Sequence, residues 1–389
     1  MGPYGWRSRS NRPTRVGLGL THVIEPSHKI ATDLRYRLHM VRVDDIDRFV
    51  FVVGAPRCGT TTLSHFLKPH PAVRFPLVKE THFFAQNDLR GLPDAELKRR
   101  VERDYLQRFF REGEDRRVGV DCSVTYLYTP ELLEPVLRLW PESRFVVALR
   151  DPLSMLPSLH QRLLFMGDET QSSFAKAWAA APDRAAGRRI PRGCLEPRWL
   201  RYDEAGKFGT YLERLFAVVG RERCLPIMFD DLSAGPAGEY RRLMDFCGIT
   251  PVPGTDFTAQ RTGKAVRIAW LQRMLKRPPK GLTRHLAKDQ YLRRSWGEGG
   301  NELKPTGKML SLRKRLLEWN KFVAPAQPLP VELQFELRAH FKPEIERLGR
   351  LIGRDLGHWL LPEEQRAAAT GRAVRGRFRV AGFEQASRT

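Results

Sequence analysis

Phe49-Val50-Phe51-Val52-Val53-Gly54-Ala55-Pro56-Arg57-Cys58-Gly59-Thr60-Thr61-Thr62-Leu63 is the stretch that decides the fold. Its first five residues are continuously apolar, as a parallel strand buried on both faces requires. Gly54 to Gly59 then reads as a loop, and Thr60 to Lys68 as a helix. A loop that feeds a helix N-terminus presents free backbone N–H groups and the positive end of the helix dipole to an anion. Threonine hydroxyls at the start of that helix add donors. A tight strand–helix turn held by packing alone does not call for glycine, arginine and three threonines together.

The loop departs from the nucleoside-triphosphatase pattern GxxxxGK[ST]. Gly54 and Gly59 have that separation, but Thr60 stands where the lysine belongs, and the nearest cation is Arg57 inside the loop. Kinase and ATPase chemistry needs that lysine on the β- and γ-phosphates and a hydroxyl on magnesium. Cys58 could be activated by the helix terminus and Arg57. A phosphatase-type nucleophile needs arginine six positions on, however, and that position is Ser64, so Cys58 reads as a small loop residue.

Outward from the loop, Arg144 to Leu149 is a second buried strand and Leu225 to Phe229 a weaker third. Thr129-Pro130-Glu131 reads as a helix start, with a capping hydroxyl, proline and an acid, and that helix should run to Trp140. Strands alternating with helices predict an α/β, P-loop-like three-layer fold with a central parallel sheet flanked by helices. Glu239 to Cys247 and Ala265 to Leu275 are expected helices. Val331 to Phe341 and Pro343 to Ile352 are expected as two successive ones. Residues 1–33 read as a flexible basic arm, 34–362 as a single domain with a basic insert at about 276–328, and 363–389 as a flexible tail. The strongly basic stretch from Lys276 to Arg315 has no clear secondary-structure signal.

The 41% hydrophobic content suits a folded body rather than a disordered one. No apolar run approaches the length of a membrane span. Met1 to Arg15 is basic with no apolar segment after it, so no secretory leader is expected and the location is expected to be cytoplasmic, at most peripheral to a membrane. The five cysteines, Cys58, Cys122, Cys194, Cys224 and Cys247, show no metal or disulfide spacing. The formal charge of +23 has two readings: attraction to nucleotides, acidic glycans, anionic lipid surfaces or nucleic acid, or a basic surface without a specific target.

The strand Arg144–Leu149 ends in Arg150-Asp151-Pro152, and Ser158 follows eight residues after Arg150. An arginine at the C-terminal end of a parallel strand faces the crevice where α/β folds bind ligands, and a serine one to two turns into the next helix can meet the same anion. A structural ion pair would serve Arg150 equally well. Taken with the loop, the arrangement resembles the sulfotransferases that use 3′-phosphoadenosine 5′-phosphosulfate (PAPS). Gly54 to Leu63 is similar to their 5′-phosphosulfate loop, and Arg150 with Ser158 to their 3′-phosphate motif. Lys79-Glu80-Thr81-His82-Phe83-Phe84 resembles the KExHFF segment of the heparan sulfate branch and of bacterial relatives. Asp121 to Tyr126, Phe229-Asp230-Asp231-Leu232 and Phe341 to Trp359 extend the likeness.

The resemblance implies PAPS as co-substrate, no metal, and in-line transfer of a sulfuryl group to a hydroxyl or amine. The acceptor would be a carbohydrate, a glycolipid or a small metabolite. It places Arg57, Cys58, Gly59, Thr60, Thr61, Thr62, Arg150 and Ser158 on the cofactor. It makes Glu80 the general base, with His82 orienting it, Lys79 on the sulfuryl oxygens and Arg57 on the departing phosphate. Arg57 replaces the usual lysine of that branch; it keeps the charge but cannot give up a proton. Cys122 stands where some relatives have lysine, and Ala85 where some have aspartate. Two rivals remain. A P-loop kinase would use Asp230-Asp231 on magnesium. A non-catalytic binder of nucleic acid or membrane surfaces would use the basic stretch, although nucleic acid is disfavoured by the lack of an RNA-reading aromatic motif.

Overall fold

A computed structural model describes residues 40–111, 116–257, 264–277, 308–323, 329–362 and 365. The expected arm (1–33), most of the basic insert and nearly all of the tail lie outside these. Five strands form one sheet: β1 (Arg48–Gly54), β2 (Val73–Arg74), β3 (Val118–Asp121), β4 (Arg144–Leu149) and β5 (Cys224–Met228). Their order is β2-β3-β1-β4-β5, and every pairing is parallel. β1 is central, and its Phe49 to Val53 are fully buried. That is the reason for an unbroken apolar run: both faces are covered by helices and neither needs a polar residue.

Aromatic rings fill one side of this sheet. Phe51 stacks on Phe145 of β4 at 5.6 Å, and Phe49 meets Trp140 at 4.5 Å. Gly119 of β3 makes room for Phe49, because a Cβ there would lie 2.5 Å from the ring. The order also locates the binding crevice. The chain runs from β1 to one side through β2 and β3, then returns to the other side of β1 for β4 and β5. Such a switch opens a crevice beyond the C-terminal ends of β1 and β4.

Helix α1 (Thr60–Leu67) leaves the loop after β1, and α2 (Pro152–Met166) leaves β4. Asp151 caps α2, accepting from the Leu153 amide at 3.0 Å. Several expected boundaries differ. The third strand ends at Met228, and Phe229 opens a helix (Phe229–Ala234). The segment from Thr129 is a 3-10 turn (Pro130–Leu133) followed by a short helix (Glu134–Leu139). The Thr129 hydroxyl donates back to the Thr125 carbonyl instead of capping forward. The expected helix Ala265–Leu275 is a strand, β6 (Lys264–Val266), followed by α3 (Ala269–Lys276). β6 pairs antiparallel with β7 (Lys321–Val323), which follows α4 (Lys308–Trp319).

The two expected terminal helices are one, α5 (Val331–Ile352), with Pro343 inside it. An interior proline costs about 3 kcal/mol. It is tolerated because Leu333, Leu337, Phe341, Ile345 and Leu348 form one continuous buried stripe while Pro343 faces outward. No described helix is long and apolar enough to cross a membrane.

Candidate active site

The loop after β1 turns sharply into α1. Arg57 sits at φ 65° and Gly59, the residue before the helix, at φ 99°. A side chain at Gly59 would be strained by that φ, and its Cβ would lie 2.9 Å from Leu232. The first amides of α1 have no acceptors within the helix. Thr60 is buried, whereas Thr61 and Thr62 are half-exposed. Cys58 is buried with its Sγ 3.5 Å from the Pro56 carbonyl, and burial pushes its thiol up to about 12, against the pull of Arg150 and Arg57. Only its backbone can serve the loop.

The second grip meets the first. Arg57 Nε donates to Ser158 Oγ at 2.9 Å, and an Arg150 guanidinium nitrogen lies 3.4 Å from the Arg57 carbonyl. Arg150 also lies over Phe229, its Cζ 4.3 Å from the ring centre. Two arginines from the ends of β1 and β4 therefore converge at the switch-point crevice. The loop, the two arginines and the serine thus gather cationic and hydrogen-bonding groups at one place.

Lys79, Glu80 and His82 form the third group. Lys79 Nζ donates to Glu80 Oε1 at 2.9 Å, and His82 Nε2 lies 3.5 Å from Glu80 Oε2. Burial pushes the Glu80 carboxyl up, but Lys79, His82 and Arg162 outweigh it and hold the carboxyl below its usual range. Arg162 lies one helical turn beyond Ser158 on α2. One face of α2 thus addresses both groups, with Ser158 on Arg57 and Arg162 felt at Glu80.

What holds the Lys79–Phe84 segment is Asp121, at the end of β3. This carboxylate is fully buried. It accepts from Thr81 and Ser123 at 2.6 Å each, from Tyr126 at 2.9 Å and from Tyr105 at 3.0 Å. Burial pushes it up, and these four hydroxyls offset part of the push. Ser123 Oγ also accepts the His82 amide at 2.8 Å, and Thr125 Oγ1 meets His82 Nδ1 at 2.9 Å. Asp121 therefore fixes Thr81 directly and His82 through Ser123, the two residues that follow Glu80. Sequence reading noted Asp121 to Tyr126 but not this role; an acid one residue before Cys122 and two before a serine, at the end of an apolar run, was the only signal.

Among the described residues no cluster of three or more His, Cys, Asp or Glu could hold a metal ion. Of the two acids a kinase would place on magnesium, Asp231 is instead paired with Arg354.

The sheet order, the strand–loop–helix turn and the two arginines define an α/β protein with a basic crevice at the switch point of its parallel sheet. The chain belongs to the sulfotransferase family, whose model matches residues 50–253. It is 25% identical over 198 residues to mouse (Mus musculus) heparan sulfate glucosamine 3-O-sulfotransferase 3A1, a match covering 51% of this chain and 45% of the relative. Human (Homo sapiens) heparan sulfate glucosamine 3-O-sulfotransferase 6 is 24% identical over 201 residues, 52% of each chain. The chain spans about half the length of the curated relatives it matches. The crystal structure of a sulfotransferase from Alicyclobacillus acidocaldarius superposes with a TM-score of 0.50 at 22% identity, covering 80% of this chain and 97% of that one. The fold is thus shared with a solved sulfotransferase.

Proposed function

We propose that the protein transfers a sulfuryl group from PAPS to a hydroxyl or amine of a carbohydrate, a glycolipid or a small metabolite. The observation that carries this reading is the meeting of Arg57, Ser158 and Arg150 at the loop before α1. The donor supplies an activated sulfuryl group on a good leaving group. Everything else is positioning and charge stabilisation by the chain.

Arg57 and the backbone amides of Cys58, Gly59, Thr60, Thr61 and Thr62 hold the 5′-phosphate, where charge builds as the bond to sulfur breaks. Arg150 and Ser158 hold the 3′-phosphate, and the Phe229 ring under Arg150 helps fix the position of its guanidinium. Glu80, ionised at neutral pH, takes the proton from the acceptor. His82, fixed by Thr125, orients the carboxylate. Lys79, hydrogen-bonded to Glu80, would rotate to meet the sulfuryl oxygens. That rotation would free Glu80 of its strongest cation and make it a better base at the moment of transfer.

Calorimetric titration tests the cofactor half. Adenosine 3′,5′-bisphosphate should bind at least about tenfold more tightly than adenosine 5′-monophosphate, as a charge-assisted phosphate grip predicts, and magnesium should change neither. Equal affinities for the two nucleotides, or turnover of ATP with magnesium, would remove the reading.

A further inference from the structure

We propose that the module formed by β6, α3, α4 and β7 is a docking surface for an anionic lipid bilayer. Its packing is turned inside out. In α3 the polar Gln272 is buried and Trp270 is 68% exposed, with Met274 one turn on and also exposed. In the turn from α4 to β7, Asn320 is fully buried while its neighbours Trp319 and Phe322 are 55% and 40% exposed. The two buried amides are satisfied. Gln272 Nε2 donates to the Phe165 carbonyl at 2.7 Å, Asn320 Nδ2 donates to Gln272 Oε1 at 3.2 Å, and Asn320 Oδ1 accepts the Ile268 amide at 2.8 Å. Polar side chains thus lock the module from within, beside the buried Leu275, and leave Trp270, Met274, Trp319 and Phe322 outside. A protein that met only water would lose stability by this exchange, and exposed aromatics grouped this way mark an interaction surface.

The charge of the module decides the partner. Residues 264–277 and 308–323 carry ten lysines and arginines against one acid, Glu318. Glu318 is itself paired with Lys321. Arg267 lies over both the Trp319 and Phe322 rings, at 6.0 and 5.7 Å, so cation and aromatic share one spot. Exposed Trp and Phe among basic side chains suit the headgroup layer of an anionic membrane, where rings sit at the acyl boundary and cations meet phosphates. A second copy of the chain would bring ten like charges against ten, and a nucleic acid would not call for Met274 or Leu312, both exposed.

The module is seated beside the candidate active site. β6 and α3 pack on α2, the helix that carries Ser158 and Arg162, and Arg273 donates to the Gly167 carbonyl at 2.7 Å just past its end. Docking by this face would hold the crevice near the bilayer plane. The inference does not rest on the transfer reaction and survives its failure. Of the basic stretch expected at Lys276 to Arg315, residues 276, 277 and 308–315 fall in this module, and the rest lies outside the described residues.

Flotation of the full chain with vesicles tests it, using phosphatidylcholine alone and phosphatidylcholine mixed with phosphatidylglycerol. The protein should float with the mixed vesicles and hardly with the neutral ones. A Trp270→Ala, Trp319→Ala, Phe322→Ala variant should lose on the order of tenfold in partitioning. Lys314→Gln and Arg315→Gln, both at exposed positions, should each lose about fivefold. Unchanged adenosine 3′,5′-bisphosphate binding by each variant shows that the fold is intact. Vesicle binding by the aromatic variant equal to the parent's would overturn the proposal, because charge alone would then explain it. So would failure of the parent to float with mixed vesicles, or a preference for single-stranded RNA that competes vesicles away and ignores the aromatic changes.

Discussion

Replacing Glu80 by Gln isolates the proposed base. Gln keeps the size and can still accept the Lys79 hydrogen bond, now 2.9 Å, so the segment should hold its shape. What it loses is the capacity to take a proton. General-base catalysis is worth about 10²–10⁴ in rate. Lys79, His82 and Arg162 hold the Glu80 carboxyl below its usual range, against burial, and a weak base gives a small Brønsted advantage. The loss should therefore lie toward the lower end, about 10² in kcat, or about 2.7 kcal/mol of barrier. The assay is initial-rate formation of sulfated product with saturating PAPS and the best acceptor available. Binding of adenosine 3′,5′-bisphosphate should stay within about threefold, since no cofactor phosphate needs this carboxylate. Near-normal turnover by the Gln variant would refute the reasoning and move the proton to His82.

Other outcomes follow from the same geometry. Since the Glu80 carboxyl is held low, its ionised form is present down to below the ordinary value of 4.5, so the acid limb of kcat/KM should fall below that pH, and Lys79→Met should move the limb upward. Arg150→Ala should weaken adenosine 3′,5′-bisphosphate by about 1–3 kcal/mol in calorimetry while leaving adenosine 5′-phosphosulfate almost unaffected; equal losses would make Arg150 scaffold. Asp121→Ala leaves four buried hydroxyls without their acceptor and should cost about 3–5 kcal/mol in urea unfolding, whereas Asp121→Asn should cost about 1–2 kcal/mol and lower kcat. The raised folded-state pKa of Asp121 means that the native chain keeps this proton to higher pH than the unfolded one. Its contribution to stability therefore declines as pH rises from 3.8 through the folded value, and Asp121→Asn should flatten that part of the stability profile. Iodoacetamide at mildly alkaline pH should leave the buried Cys58 unmodified in the native protein, as its thiol is pushed up to about 12.

The parts of the fold legible in the sequence are those where one local pattern has one physical cause. Phe49 to Val53 and Phe145 to Leu149 are apolar without interruption because both faces of the sheet are covered. Gly59 and the threonines mark the loop because the turn and the anion each demand them. β3 escaped notice because it is four residues long, follows Arg116-Arg117 and ends in an acid, so that by composition it looks like a turn. β2, at two residues, carries no pattern at all. Pro343 suggested a break in α5 because local rules see the missing N–H but not the buried stripe on the opposite side. The hub at Asp121 was out of reach for a different reason. Ser123 and Tyr126 lie close to Asp121 in the chain, but Thr81 and Tyr105 come from separate segments, and only the fold brings their hydroxyls to the same carboxylate. The exposed aromatics of α3 and β7 were equally hidden, since an apolar residue in a sequence reads as core until its burial is known.

The most direct test of the central claim is incubation of the purified chain with ³⁵S-labelled PAPS and fractionated extracts of carbohydrates, glycolipids and small metabolites. Label should move from the nucleotide into an acceptor fraction, with adenosine 3′,5′-bisphosphate released in equal amount, without added magnesium, and the Glu80→Gln variant should transfer about a hundredfold more slowly. PAPS left intact in every fraction, by a chain shown to be folded by its thermal unfolding, would contradict it.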